Sequence, residues 1–299
     1  SQRFVSFTGA DQGQSRNTTG YVAELLARPT AATDLSLSLR YDDHSNIRNK
    51  TTYRIAASHR LGGSSRLHAS LGTGLKQPTF TELFGFFPDS FVGNPDLKPE
   101  ESLGWDVGIE QSLFDERLVA DLTVFSMTLE DEIQTVFLPS FQSSVANSDG
   151  TSRRQGVELD LRARLSDALT ARASYTFTDA REARPAGEAK RREIRRPRHM
   201  AALNLNYRFL NQRANLNLNL SYTGEQNDDI FPPPFFSREA VPLDAYTLVN
   251  LSGSFDLLPG LRLFARAENL FDEEYQNVVG YRTPGTAVYA GVQLDLARR

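Results

Sequence analysis

Cysteine is absent from the 299 residues, which excludes disulfides and thiolate metal sites. Long apolar runs are absent too. Nothing approaches the roughly 18 consecutive apolar residues of a helical membrane span. The apolar share is only 39%. That is low for a protein with a large dry core, but it suits a membrane barrel, whose strands turn alternate residues to lipid and to a polar lumen. Neither sign of charge dominates: 33 basic and 37 acidic residues leave a net charge of −4. Both signs are interspersed, so no nucleic-acid groove is expected. His44, His59, His68 and His199 show no metal-ligand spacing. No nucleophile motif accompanies them, so the chain is not read as an enzyme. The opening Ser1-Gln2-Arg3-Phe4 is not a signal peptide. An exported protein needs one, so a mature, trimmed or partial chain is expected.

What the chain has in abundance is a period of two. Val157, Leu159, Leu161 and Ala163 alternate with Glu158, Asp160, Arg162 and Arg164. Leu216, Leu218, Leu220 and Tyr222 alternate with Asn215, Asn217, Asn219 and Ser221. One apolar and one polar face is the signature of a strand. The pattern predicts about 14 strands. They are Arg3–Thr8, Thr18–Arg28, Asp34–Asp42, Thr51–Leu61, Ser65–Leu75, Glu101–Leu113, Leu118–Gln134, Arg153–Leu165, Leu169–Thr178, Arg198–Phe209, Ala214–Thr223, Asp244–Leu257, Leu261–Leu270 and Ala287–Leu296. Most reach the roughly 9–11 residues needed to cross a bilayer on a tilt. Short turns follow Arg28, Leu61, Leu113, Leu165, Phe209 and Leu257, and long polar loops lie between them. Short turns at one end and long loops at the other mark an all-β, antiparallel transmembrane β-barrel of the bacterial outer membrane. By the same rule the short turns are periplasmic. A soluble β-sandwich or β-rich adhesin and a passive porin are the rival readings.

Two sequence boxes carry more. Leu75-Lys76-Gln77-Pro78-Thr79-Phe80-Thr81-Glu82-Leu83-Phe84 leads to Gly93-Asn94-Pro95-Asp96-Leu97-Lys98-Pro99-Glu100. The prolines fix φ and the Asn and Asp favour turns, so a stiff elbow is expected before the next strand. Near the end stand Glu268-Asn269-Leu270-Phe271-Asp272, Tyr275 and Gly280-Tyr281-Arg282-Thr283-Pro284-Gly285. Together these boxes resemble those of TonB-dependent outer-membrane receptors. The Gly85-Phe86-Phe87 run and the Gly-Tyr-x-Thr run are similar to the vitamin B12 receptor branch, whose related receptors carry siderophores.

The resemblance implies a 22-stranded barrel, a size associated with plugged transporters. It also implies an N-terminal plug and energy from a periplasmic TonB-type coupling protein. On this reading residues 1–299 are the C-terminal portion of the barrel, with the plug, the coupling segment and the early strands lying outside the chain. The expected function is active uptake of a corrinoid or an iron chelate, with passive porin as the alternative. An open sheet cut from a larger barrel is preferred to a narrow closed one. Closure would pair Arg3–Thr8 with Ala287–Leu296. Haem receptors of the family carry a histidine between the loop boxes, and none lies between Lys76 and Asn94. Two departures stand out. The chain ends Leu294-Asp295-Leu296-Ala297-Arg298-Arg299 rather than on an aromatic, and Thr286 follows Pro-Gly where the family places Arg.

The candidate ligand contacts are aromatic. Phe84, Phe86, Phe87 and Phe91, with Phe80, crowd one loop; Phe231, Phe235 and Phe236 crowd another; Tyr281 lies in the last. Aromatics offer contact area at low entropy cost, though loop-on-loop packing uses them equally well. Lys190, Arg191, Arg192, Arg195, Arg196 and Arg198 form a basic run interrupted by Glu193, with Glu188 just before it. It reads either as a grip on an anionic ligand or lipopolysaccharide phosphate, or as a solvated loop entering a lumen wall. The pairs Asp42-Asp43 and Asp228-Asp229 are weak calcium candidates, without a ligand series. No metal or cofactor is assigned. Membrane lipid and lipopolysaccharide are the expected surroundings.

Overall fold

The computed structural model describes residues 2–5, 11–45, 49–85, 90–140, 142–183, 190–234 and 238–295. The chain opens with a separate hairpin of β1 (Gln2–Val5) and β2 (Asp11–Gln14). The large sheet then begins with β3 (Thr18–Thr30), β4 (Thr33–His44), β5 (Lys50–Arg60) and β6 (Ser65–Lys76). After helix α1 (Phe80–Phe84) come β7 (Glu100–Leu113) and β8 (Leu118–Glu130). A loop hairpin, β9 (Ile133–Phe137) with β10 (Ser143–Asn147), precedes β11 (Ser152–Arg164) and β12 (Leu169–Glu182). The two-residue β13 (Arg191–Arg192) pairs with β12. Next are β14 (His199–Phe209) and β15 (Ala214–Thr223). A second loop hairpin joins β16 (Gln226–Ile230) to β17 (Glu239–Leu243). The chain finishes with β18 (Tyr246–Leu258), β19 (Leu261–Glu268) and β20 (Ala287–Leu294).

Thirteen long strands make one antiparallel meander, in the order β20-β19-β18-β15-β14-β12-β11-β8-β7-β6-β5-β4-β3, with β13 attached to β12. Thirteen of the expected strands are therefore present in sequence order. The exception is Arg3–Thr8. Its described part belongs to β1, whose only ladder among the described residues is with β2. The expected strand Leu118–Gln134 also stops early: Asp131 takes a φ of 53°, which breaks the ladder after Glu130. Among the described residues no ladder joins β3 to β20, so the sheet is open.

Alternation builds the two faces. Leu159 stands between Leu122 and Tyr175, and Leu218 between Leu205 and Leu251. The other face is a polar wall. Asn204 and Asn217 exchange side-chain hydrogen bonds of 3.1 Å, as do Asn206 and Asn215. Glu110 accepts from Arg66 at 3.2 Å and from Arg162 at 3.1 Å. His68 Nε2 lies 3.0 Å from Asp121. Each of these polar side chains satisfies a neighbour on another strand, which is what a wall facing water or a packed lumen requires.

The apolar face carries two aromatic rows. Phe177 contacts His199 at 5.3 Å, and Tyr207 stacks on Phe209 at 5.1 Å. His199 and Phe209 bound one strand, about 33 Å apart along it and about 25 Å in height once tilted by roughly 40°. That matches the apolar band of an outer-membrane barrel.

All six short turns occur where the pattern puts them, including residues 61–64, 114–117, 165–168 and 210–213. The long connections gather at the opposite end. Sidedness follows, and it is testable: a tag inserted after Pro139 should be reachable on intact cells, and one at Asp167 should not. The reverse labelling would invert the topology.

Candidate functional site

The elbow before β7 is built first. Thr79 caps α1: Glu82 N–H donates to Thr79 Oγ1 at 3.2 Å, and Thr79 N–H donates to Glu82 Oε2 at 2.7 Å. This is a reciprocal capping box. The chain then folds back on itself so tightly that a Cβ on Gly93 would sit 2.2 Å from the Gly85 nitrogen, and only glycine fits there. Asn94 N–H donates to the Glu82 carbonyl, and Asn94 Nδ2 to the Val145 carbonyl. Leu83, Leu97 and Val145 form a small buried cluster on which Phe91 and Ile133 pack. Asn147 Nδ2 donates to the carbonyls of Lys98 and Asp131. The β9–β10 hairpin thus braces the elbow, which is a rigid base. Phe91 takes part in that packing. Phe84 keeps 41% of its surface exposed.

The last loop is organised by Asn269. It follows β19 with a φ of 46° and is buried. Its side chain donates to the Glu273 and Pro284 carbonyls and accepts from Glu273 N–H. Thr286 closes the ring: its hydroxyl donates to the Asn269 carbonyl at 2.7 Å and its N–H to Asp272 Oδ1 at 2.9 Å. The threonine that replaces the family's arginine therefore has a structural task here. Tyr281 stands out from this loop, 72% exposed.

A third brace links the β16–β17 hairpin to that loop. Asp228 has no exposed side-chain surface. It accepts from Val279 N–H at 2.8 Å, from Asp229 N–H at 2.9 Å and from Arg195 Nε at 2.9 Å. Tyr246 donates to Asn277 Oδ1 at 2.5 Å, and its ring lies 4.4 Å from that of Tyr275. Asp229 is held by Arg191 and Arg238, and Glu182 by Arg191 at 2.6 Å. Burial raises the Glu182 carboxyl against the opposing pull of Arg191. The basic run is thus largely spent on loop carboxylates: Arg154 Nε also donates to buried Glu193 at 2.9 Å, with Arg196 at 3.4 Å from the same group. The acidic pair Asp228-Asp229 is engaged by these same donors, and Asp42 pairs with Arg40 at 2.6 Å.

Beneath these loops, on the polar face, lies a chamber of about 850 Å³. Arg54 of β5, Phe125 and Met127 of β8, Arg154, Met200 and Tyr246 line it. In a flat sheet β5 and β15 would be about 34 Å apart, yet Arg54 and Thr223 wall the same space. The sheet therefore curves toward its polar face. Arg54 has no ion pair or hydrogen bond from its side chain among the described residues.

Of the eight aromatics singled out from sequence, Phe86, Phe87, Phe235 and Phe236 lie outside the described residues. Phe84 and Tyr281 are exposed in separate loops, and Phe231, 45% exposed, meets Phe137 with ring centroids 6.4 Å apart. Reading the sequence for loop aromatics does not find Phe137, nor Phe125, Met127 and Met200. A signal for the β8 pair exists. Leu118, Ala120, Leu122 and Val124 are apolar at even positions, whereas Phe125, Met127 and Leu129 are apolar at odd ones. That switch of parity turns an apolar surface into the lumen above the membrane band.

A family profile described as TonB-dependent receptor-like β-barrel matches residues 2–270. A vitamin B12 transporter of Photobacterium profundum is 28% identical over 255 residues, covering 85% of this chain and 39% of the relative. One of Vibrio vulnificus is 27% identical over 254 residues, covering 85% and 37%. The chain thus spans well under half the length of these curated relatives. Among solved structures, a ferric enterobactin receptor mutant of Pseudomonas aeruginosa in complex with enterobactin superposes with a TM-score of 0.79 at 21% identity, covering 97% of this chain and 48% of that one. The ferripyoverdine receptor of the outer membrane of Pseudomonas aeruginosa gives 0.75 at 16% identity, covering 94% and 39%. With fold, strand order and family profile in agreement, this chain belongs to the TonB-dependent receptor-like β-barrel family and is an outer-membrane protein.

Proposed function

We propose that the chain is the C-terminal portion of the barrel of an active-transport receptor for a scarce, bulky nutrient, a cobalamin-like corrinoid or a ferric siderophore. The observation that carries this reading is the chamber beneath cross-braced loops. Its volume of about 850 Å³ falls in the upper range of small-molecule sites. Its walls join aromatic and thioether surface to the guanidinium of Arg54, a lining suited to a large amphipathic ligand. The remaining length of the relatives would supply the plug, the early strands and the segment that engages a TonB-type coupling protein. A passive porin is not favoured, because the relatives are named transporters and receptors. Uptake of labelled cobalamin and of ferric siderophores by cells carrying the full-length protein tests the reading. Uptake of one class should cease when the coupling protein is deleted. Uptake that persists without it would make the protein a passive pore.

The loop aromatics are the proposed capture surface: Phe84, Phe231 and Tyr281, with Phe86, Phe87, Phe235 and Phe236 of the same loops and Phe91 at the elbow. Replacing Phe84, Phe231 and Tyr281 together by alanine should weaken ligand affinity about tenfold or more, since each aromatic contact contributes roughly 0.5–1.5 kcal/mol beyond its area. Barrel yield should not change. Unaltered affinity in that triple variant would remove these side chains from the site.

A further inference from the structure

Just above the upper aromatic row, four arginines crowd the outward face of the sheet. Arg153 of β11 stands opposite Arg181 of β12, and Arg181 opposite Arg192 of β13. The face is fixed by register, because the same ladder sets Val157 beside Phe177 and Leu159 beside Tyr175 just below. Neighbouring strands are about 4.8 Å apart, and like charges placed directly opposite are destabilising. The inward face at the same level is balanced: Glu182 lies opposite Arg191 and pairs with it at 2.6 Å. The outward face is not. Its carboxylate is Asp179, 3.0 Å from Arg181 and 3.6 Å from the fourth arginine, Arg198.

Arg153 and Arg192 make no side-chain ion pair or hydrogen bond among the described residues. Arg198 Nε is buried without a hydrogen-bond partner. Burial, and then the Arg198 guanidinium, lower the pKa of Arg192, and the carboxylates of Asp179 and Glu225 offset this only in part. The patch thus carries an excess of positive charge at the height where the apolar band meets the long-loop end.

We propose that this row binds the phosphate groups of a phosphorylated glycolipid of the surrounding outer leaflet, of the lipid A class. Guanidinium groups take phosphate in paired, charge-assisted hydrogen bonds. The acyl chains would run down the apolar wall of Val157, Leu159 and Phe177 directly beneath. That wall is the reason for choosing a lipid over a free anion.

The test uses the full-length protein purified in detergent. Its probes are bisphosphorylated lipid A, dephosphorylated lipid A and inorganic phosphate. The variant Arg153→Gln/Arg181→Gln/Arg192→Gln should bind bisphosphorylated lipid A at least tenfold more weakly. The inward-facing control Arg162→Gln/Arg172→Gln should bind it as the parent does, and dephosphorylated lipid A should bind the parent at least tenfold more weakly. Equal binding by parent and triple variant would overturn the proposal, as would indifference to the phosphates. Competition by inorganic phosphate at the lipid's own concentration would show a free-anion site instead and equally overturn it. If the triple variant does not assemble, Arg192→Gln alone should lose threefold or more, and an unchanged affinity would refute the site.

Discussion

Leu218→Arg is expected to destabilise the barrel in bilayers by about 2–4 kcal/mol, the cost of a lipid-facing arginine near the midplane. Leu218 lies opposite Leu205 and Leu251, roughly midway between the two aromatic rows. Its neighbour Asn217 faces the other way, hydrogen-bonded to Asn204 at 3.1 Å. Asn217→Arg should therefore cost far less, because the polar wall can solvate a guanidinium. Folding titrations of both variants in lipid vesicles decide it. Equal stability of the two would mean that the assignment of lipid and lumen faces is wrong.

Asp228→Ala should unlock the β16–β17 hairpin from the last loop. The carboxylate is fully buried and takes two backbone N–H donors and one guanidinium. Arg195 is about half exposed and regains water on losing its partner, so the main penalty falls on the Val279 N–H. A buried donor left unsatisfied costs about 1–3 kcal/mol. Amide exchange around Val279 should accelerate by roughly one to two orders of magnitude, as that cost implies, with the strands unaffected. Unchanged protection there would show that the loop is held by other contacts.

The same contact sets a pH response. Burial by itself raises the Asp228 carboxyl, but the Val279 and Asp229 N–H groups and Arg195 together outweigh it and hold it below its ordinary value. Its contribution is therefore fully present above the unfolded carboxyl's value of about 3.9. It is lost only as pH falls through the lower folded value. The last loop should stay docked at mildly acidic pH. Release near neutrality would contradict this.

Some elements are legible in the sequence for a local reason and others are not. Strands β3 to β8, β11, β12, β14, β15 and β18 to β20 can be read because each presents one apolar face and one polar face, and the period of two appears in any window of about ten residues. The six tight turns can be read because two faces must be resumed in register after each. Helix α1 and the two loop hairpins escape such a reading. They are short, and their stability comes from contacts distant in sequence, such as Asn94 on Val145 and Asp228 on Val279. The opening strand is misplaced by it because a few alternating residues look the same in a small hairpin and in a sheet.

By itself, then, the sequence determined strand number to within one, the lipid and lumen faces, and the end at which the loops gather, since all three follow from side-chain parity and turn chemistry along the chain. Only the tertiary structure decided that the elbow is braced by β9 and β10, that Thr286 takes over a closing role in the last loop, and that Phe91 packs inward while Phe84 stays exposed. It alone placed Arg54, Phe125 and Met200 around one chamber and set Arg153, Arg181 and Arg192 side by side. Those facts depend on register between strands and on curvature of the sheet, which bring together residues far apart along the chain in ways no local pattern encodes.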